Sequence, residues 1–437
     1  MKRLRLSQIS ARDLVAVVIP AMLLLGATVW VAYLFVKPAP PDTLVMSTGS
    51  ESGAYHAIGM RYQEILARHG VKLELRTSTG ALENFQRLGD DDSDVEIGFV
   101  QGGVAHSEDA PDLVTLGSAF YEPVWVFYRG LQPLERMIHL RGKRIAVGEE
   151  NSGNRVLALD LLAANGVASA PTKLLPIGGV DALEALAKKE IDAVFVVGAP
   201  ESGAIRALLY MDGVRLLSFN RAAAYTRRFQ FLYPLTLPQG TIDLIRDIPA
   251  SDTLLFAPTA NLVAKNTLHP ALIDLMMQAM AEVHGGRGVF QNARDFPSPK
   301  DHEFPLSPEA ERFYKSGAPF LQRYLPFWAA TLVDRIVVML IPIFALLIPL
   351  FKFGPMLYTW RVRSRLYRLY GELKYLENDI RQQFDPARFD AYMSTLQRID
   401  EAANTRPIPL AFVDQQYTLR QHIDFVRGEL EKLRPKT

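Results

Sequence analysis

Two long apolar runs divide this chain into parts of different character. The first, residues 14–36, contains no charged residue, and the second, residues 336–351, contains none either. Between them, apolar positions alternate between strand-like and helix-like spacing, whereas after the second run they recur at helical spacing. The pattern predicts two candidate membrane spans, a central α/β region and a C-terminal helical region.

The first candidate span is long enough to cross a bilayer. Its 23 residues would extend about 34 Å as a helix, against about 30 Å of hydrocarbon core. A cleaved signal peptide also begins with basic residues, here Lys2, Arg3 and Arg5. The run is longer than a usual signal core and no Ala-x-Ala pattern precedes residues 37–41, so we favour an uncleaved anchor over a signal peptide.

The second candidate span is predicted over residues 332–352. Pro342 and Pro349 are better tolerated in a membrane than in an ordinary soluble helix. Aromatic residues and a basic cluster flank it: Phe327, Trp328, Tyr358, Trp360, Lys352, Arg361, Arg363, Arg365 and Arg368. The alternative is a hairpin buried in a protein core.

Both outer flanks of the two spans are basic. The positive-inside rule therefore predicts that residues 1–13 and 353–437 lie in the cytoplasm and that the stretch between the spans is extracytoplasmic. Three amphipathic helices are predicted in the tail, over residues 358–383, 388–403 and 413–433. They would form a small bundle of solvated helices, or a docking site for a cytoplasmic protein partner.

The central region repeats a pattern of strand, Ser-Gly loop and helix. Strand residues 44–47 lead through a Gly/Ser loop to a helix over residues 57–69, and residues 144–147 lead through residues 151–153 to a helix over residues 155–165. A repeat of this kind predicts two similar α/β lobes. Ligands bind beyond the carboxyl ends of the strands in such sheets, so the loops would face a cleft that closes.

Composition and motifs exclude several functions. The net charge of +1 gives no argument for nucleic-acid binding, and the absence of cysteine excludes disulfides, thiolate metal sites and a cysteine nucleophile. In the segment Gly49–Gly53 a serine nucleophile turn would need serine where Glu51 stands. The eight histidines show no close ligand spacing. We predict no catalytic site, no metal and no cofactor.

Hydroxyl and amide side chains stand beside glycines in the predicted strand-end loops, a composition suited to binding carboxylates. They are Thr48, Ser50, Ser52, Tyr55, Thr79, Asn84, Gln101, Ser152 and Asn154. Arg155 could add a cation from the second lobe. Each of these residues could instead be an ordinary turn, cap or helix-surface residue.

The order and spacing of these motifs resemble the TAXI family of extracytoplasmic solute-binding proteins of TRAP transporters. The matching stretches lie between about residues 42 and 325: Thr48-Gly49, Gly53-x-Tyr55, Gly59, residues 78–84, Asp94-x-x-Ile97-Gly98-x-Val100-Gln101, residues 142–148 and Ser152-Gly153.

The resemblance implies a type II periplasmic-binding-protein fold, with two lobes joined by crossover strands. Lobe I would comprise residues 42–141 and 250–325, and lobe II residues 142–249. The ligand-binding residues that it implies are Thr48, Gly53, Tyr55, Thr79, Asn84, Gln101, Ser152 and Gly153. We add Gly49, Ser50, Ser52 and Gly80 of the same loops as candidates. The family often has glycine at position 52 and serine at position 81, so Ser52 and Ala81 are departures that could change the ligand.

The leading hypothesis is a two-pass receptor in the bacterial inner membrane, with its solute-binding domain in the periplasm. It would bind a small organic anion, of the amino acid or dicarboxylate class, and deliver it to TRAP permease subunits. Tethering would raise its effective concentration near a permease. The alternative is a transmembrane sensor that signals through residues 353–437.

Overall fold

The computed structural model describes residues 11–35, 38–130, 132–300, 303–405, 408 and 410–434. The first ten residues of the predicted cytoplasmic N-terminus, and Val36 at the end of the first predicted span, lie outside the described residues. The chain forms two compact units, one of Ala39–Leu332 and the other of Met1–Pro38 with Val333–Thr437.

A five-stranded mixed sheet forms the first lobe of the unit Ala39–Leu332. Its strands are β1 (Thr43–Ser47), β2 (Lys72–Arg76), β3 (Ile97–Gln101), β4 (Leu113–Tyr121) and β12 (Thr259–Lys265), in the order β2-β1-β3-β12-β4. β1 is parallel to β2 and β3, whereas β12 is antiparallel to β3 and β4. β3 is buried along its whole length, which agrees with its apolar residues on both faces before the polar Gln101 at its end.

Four helices belong to this lobe: α2 (Ala54–Arg68), α3 (Ala81–Gly89), α8 (Pro270–His284) and α9 (Pro308–Ser316). Tyr62 of α2 and Phe99 of β3 are fully buried in the same core as most of α8. His269 accepts a hydrogen bond from the N–H of Ala271 and so caps α8, with Pro270 in the first turn, as the sequence pattern predicts.

A second five-stranded sheet forms the other lobe. Its strands are β5 (Val124–Arg129), β6 (Arg144–Ala146), β7 (Lys173–Leu175), β8 (Ala193–Val197) and β9 (Val214–Leu216), in the order β7-β6-β8-β5-β9. Its helices are α4 (Gly153–Ala164), α5 (Gly179–Ala187), α6 (Gly203–Leu209) and α7 (Ala222–Arg228). An antiparallel ribbon, β10 (Tyr233–Leu237) with β11 (Thr253–Ala257), completes the unit.

The chain passes between the two sheets twice. Glu122 and Pro123 connect β4 to β5, and Pro258 connects β11 to β12. In each sheet the first strand of the repeat lies between the second and the third, and an antiparallel strand adjoins the third. This arrangement confirms the predicted two-lobed type II periplasmic-binding-protein fold.

Two strands lie outside the lobes to which the expected boundaries assign them. Residues 42–141 were expected in lobe I, but β5 pairs with β8 and β9 in the second sheet. Residues 250–325 were also expected there, but Leu255 and Phe256 of β11 pack in the core of the second lobe. An apolar strand next to a crossover fits either sheet by its pattern, because alternation does not specify the partner strand.

The second unit contains α1 (Ala11–Phe35), most of α10 (Phe327–Gln383), α11 (Phe389–Thr405) and α12 (Val413–Lys432). Apolar residues from α10, α11 and α12 share one core, in which Leu373, Leu396 and Leu419 are nearly or fully buried. A span over residues 332–352 followed by a separate helix was expected. The structure instead has one helix of 57 residues with Pro342, Pro349 and Pro355 inside it.

Within the described part of the chain, α10 is the one helix long and apolar enough to cross a membrane, and its most apolar window is not buried by protein. The apolar stretch Val18–Leu34 is shorter. An unburied window argues against the alternative that residues 336–351 form a buried core hairpin.

Candidate ligand-binding site

Three loops at strand ends contain most of the predicted binding residues, and two of these loops meet across the lobes. We name them loop A (residues 48–53, after β1), loop B (residues 77–80, after β2) and loop C (residues 147–152, after β6). A Cβ atom added at Gly80 of loop B would lie 3.6 Å from Cα of Ser152 in loop C. Gln101, at the end of β3, donates a hydrogen bond from Nε2 to the Gly153 carbonyl over 3.3 Å. The structure therefore brings four of the predicted residues into one contact between the lobes.

Loop A leads directly into α2. Gly49 is buried, whereas Ser50 and Ser52 are exposed. The Gly53 N–H donates to the Ser50 carbonyl over 2.8 Å, and Gly53 is the N-cap of α2, where no side chain caps the helix. The first N–H groups of a helix have no partner within the helix, so an uncapped start is suited to holding an anionic group.

Two predicted hydroxyl residues form bonds within the protein. Thr48 is fully buried, and its Oγ1 lies 3.2 Å from the Arg76 carbonyl and 3.3 Å from His56 Nδ1. Thr79 is exposed, and its hydroxyl and its N–H both donate to Glu83 over 2.7 Å. The second pattern fixes the start of α3.

Asn84 uses its whole hydrogen-bonding capacity inside lobe I. Its Nδ2 donates to the carbonyls of Thr48 (2.5 Å) and Phe99 (2.8 Å). Its Oδ1 accepts from the hydroxyls of Ser47 and Ser78, each over 2.7 Å. A side-chain amide forms about four such bonds, so Asn84 joins the carboxyl ends of β1 and β3 and has no capacity left for a ligand.

Loop C has a matching amide whose capacity is not exhausted. Asn154 donates from Nδ2 to the carbonyls of Val147 (3.1 Å) and Phe195 (3.2 Å), and so joins the ends of β6 and β8. Its Oδ1 is buried and has no hydrogen-bond partner among the described residues. Ser152 caps α4 by accepting from the N–H of Arg155 over 3.3 Å.

Arg155, in the same turn of α4, carries an unfilled donor beside the unfilled acceptor of Asn154. Its Nη1 is buried and forms no hydrogen bond within the described structure. A buried guanidinium donor without a partner is costly, because the nitrogen has lost water and gained nothing in return. An anion placed there would supply the missing acceptors.

Tyr55 contacts Glu122, a residue that was not predicted from the sequence to belong to the site. Its hydroxyl donates to Oε2 of Glu122 over 2.8 Å, and its ring stacks on Phe99 at 4.8 Å between centroids. Burial raises the pKa of the Glu122 carboxyl to about 7, against the opposing effect of the Tyr55 hydrogen bond. The available signal was a single acid inside a long apolar, strand-forming stretch that includes β4 and β5.

In the part of the chain that the structure describes, no group of three or more His, Cys, Asp and Glu side chains could hold a metal ion. The contacts between the lobes described above involve Gly80, Gln101, Ser152 and Gly153. Two α/β lobes with two crossovers, and strand-end loops that meet between them, define the periplasmic-binding-protein class.

The chain also matches a known protein family. Residues 46–316 match the NMT1-like family, and because this is more than half of the chain, the chain belongs to that family. This match does not confirm that the chain belongs to the TAXI family, so TAXI membership stays a prediction.

Among solved structures the chain is similar to the periplasmic aliphatic sulphonate binding protein SsuA from Escherichia coli. The identity is 15%, the match covers 69% of this chain and 84% of that one, and the TM-score is 0.37. It is also similar to an ancestral arginine-binding protein bound to arginine, at 14% identity over 55% and 92% of the two chains with a TM-score of 0.36. Because both TM-scores are below 0.5, these similarities do not indicate a ligand or a partner for this chain.

Proposed function

We propose that this chain is a membrane-anchored, TAXI-like solute receptor. Its two lobes close on a small carboxylate-bearing ligand outside the cytoplasm and present that ligand to a TRAP-type permease. We propose no catalytic activity for it.

The observation that carries the proposal is the meeting of loops B and C with unfilled polar groups beside it. Gly80 approaches Ser152 across the lobes, and Arg155, three residues further along α4, has a buried nitrogen without a partner. Together with the uncapped start of α2 at Gly53, this gives anion-binding groups on both lobes. A carboxylate held between them would stabilise the closed arrangement.

The apolar part of α10 supports the anchored form of the proposal. A receptor held in the membrane diffuses in two dimensions, so a neighbouring permease meets it at a higher effective concentration. The predicted binding residues are Thr48, Gly49, Ser50, Ser52, Gly53, Tyr55, Thr79, Gly80, Gln101, Ser152 and Gly153, to which we add Arg155. Asn84 is assigned a positioning role instead.

A transmembrane sensor is the second candidate, and one observation favours it. The apolar part of α10 continues without a break into the helical core around Leu373 and Leu396. A displacement of the span would then reach the tail through one rigid element. Removal of residues 384–437 distinguishes the candidates, because transport would continue without the tail and signalling would not.

The binding function is tested by thermal unfolding of the detergent-solubilised full chain against a library of small carboxylates. A ligand at 100 times its Kd stabilises the folded state by about 2.7 kcal/mol. We expect Arg155→Met to weaken binding about 10- to 100-fold, since hydrogen bonds to charged groups contribute about 1.5–3 kcal/mol.

Arg206→Met is the matched control, because Arg206 is an exposed residue of α6 in the same lobe. Its affinity should equal that of the unaltered chain. The proposed function fails if no carboxylate shifts the unfolding temperature of the full chain.

A further inference from the structure

Glu122 lies at the base of the cleft between the lobes. It follows the last residue of β4 on the first crossover, and its N–H donates to the carbonyl of Pro258 on the second crossover over 2.9 Å. Its side chain is 5% exposed. A carboxyl group at this point belongs to the connection between the lobes and lies within reach of Tyr55, which is one of the predicted binding residues.

Among the described residues, Glu122 contacts the aromatic residue Tyr55 and has no ion-pair partner. Tyr55 stacks on Phe99 and meets Phe120 edge-on, with ring centroids 6.4 Å apart in the second pair. No Lys, Arg or His of the described residues forms an ion pair with Glu122, and the Tyr55 hydroxyl is its one side-chain hydrogen-bond donor. A carboxylate in such a place is costly unless something else compensates its charge.

The two oxygens of this carboxylate differ in their hydrogen bonds. Oε2 accepts from Tyr55, whereas Oε1 accepts no hydrogen bond from the described residues. An ionised carboxylate accepts about four hydrogen bonds. A protonated nitrogen of a ligand would bring both the missing donors and the missing positive charge.

Lobe II and the first crossover therefore carry two unfilled groups of opposite sign. Arg155 in the first turn of α4 offers a donor for an anion, and Glu122 at the crossover offers an acceptor for a cation. We propose that Glu122 is a specificity-determining residue that binds a protonated nitrogen, so that the ligand is an amino carboxylate and not a simple dicarboxylate. The inference rests on the proposed function, of which it specifies the ligand class.

The test compares matched probes that differ by one amino group. L-Glutamate with glutarate, L-aspartate with succinate, and L-leucine with 4-methylpentanoate are titrated calorimetrically into the detergent-solubilised full chain. We expect at least one amino member to bind and its partner to bind at least 10-fold more weakly. Glu122→Gln should weaken the amino member about 10- to 100-fold, because it retains a hydrogen-bond acceptor but loses the charge.

Glu96→Gln is the control variant. Glu96 is a half-buried carboxyl of the same lobe, but it precedes β3 and so lies at the opposite edge of the sheet, where it accepts from the Val45 N–H over 3.3 Å. Its replacement should leave the affinity unchanged. A cooperative unfolding transition of Glu122→Gln without ligand, at or above the temperature of the unaltered chain, would show that any loss of binding is not a loss of folding.

Failure of the inference and failure of the proposed function give different results. If both members of each pair bind equally, or if Glu122→Gln binds the amino member as tightly as the unaltered chain, the inference is overturned while the receptor function stands. If no probe in the three pairs or in the wider carboxylate library binds, both are overturned.

Discussion

Two buried ionisable groups of lobe I oppose each other in their effect on stability. Burial raises the pKa of Glu122 to about 7, and burial lowers the pKa of His284, whose Nε2 lies 2.7 Å from the Tyr62 hydroxyl, to about 3. The stabilising contribution of Glu122 to the free energy of unfolding is fully present below pH 4.5 and is lost as the pH rises through 7. The His284 contribution is fully present above pH 6.5 and is lost as the pH falls towards 3.

Glu122→Gln should therefore remove one of the two pH dependences. The difference between the folded and ordinary pKa of Glu122 corresponds to about 3 kcal/mol of stability. Relative to the unaltered chain, the variant should gain about that much between pH 4.5 and pH 8, because its amide never ionises. Calorimetric unfolding of the ligand-free full chain across this range measures the gain.

His284 is present in both proteins, so its contribution cancels in the difference between the two curves. Tyr55, which contacts Glu122 directly, has a pKa raised well above 10 by burial and does not ionise in this range. Parallel curves for the two proteins would mean that Glu122 is not the group that titrates.

At the scale of secondary structure, the sequence identified elements better than their partners. The apolar pattern of residues 253–264 predicts a strand broken at Pro258, and the structure has β11 and β12 there, since Pro258 cannot donate to a sheet ladder. The sequence from His269-Pro270 onward likewise predicts a helix, which is present as α8. The assignment of β5 and β11 to a sheet could not be predicted, because it depends on pairing between distant residues.

In the candidate site, likewise, the sequence predicted the position of the loops but not the roles of single residues. Turn chemistry located the loops around Gly80 and Ser152, whose approach the structure describes. The roles of single residues depend on what surrounds them after folding: Asn84 is saturated by its neighbours, whereas Glu122 lacks a charge partner. A residue list cannot distinguish a saturated amide from one with free capacity.

Asn84 and Asn154 provide a matched comparison, since each joins the ends of two neighbouring strands. Asn84→Ala removes four hydrogen bonds and leaves buried carbonyls and hydroxyls without a partner, which should cost about 3 kcal/mol or more. Asn154→Ala removes two, so it should cost about half as much. Calorimetry should show the larger decrease in unfolding temperature, about 6 °C, for Asn84→Ala.

Ser50→Ala is the control for the two asparagine variants. Ser50 is exposed in loop A and takes no part in these bonds, so Ser50→Ala should leave the unfolding temperature within about 1 °C. Equal decreases for Asn84→Ala and Asn154→Ala would contradict the assignment of a saturated amide in one lobe and an unsaturated amide in the other.

For the whole molecule, the long helix α10 determines what the protein can do beyond binding. An unburied apolar segment that runs into a charged, solvated bundle is typical of a span that leaves the bilayer on its basic side. The cluster that includes Arg361, Arg363 and Arg365 follows the apolar part directly. We therefore predict that the membrane separates the tail from the ligand, both in a receptor that delivers solute and in a sensor that reports its presence.

The absence of native cysteine allows a direct test of this topology by single substitutions. Ile245 is 97% exposed in the central unit, and Tyr375 is 81% exposed in the tail. A membrane-impermeant maleimide applied to intact spheroplasts should label Ile245→Cys and leave Tyr375→Cys unlabelled, because the bilayer excludes the reagent from the cytoplasm. Both variants should react after permeabilisation, which shows that both thiols are accessible. Labelling of Tyr375→Cys before permeabilisation would place the tail outside and overturn the predicted orientation.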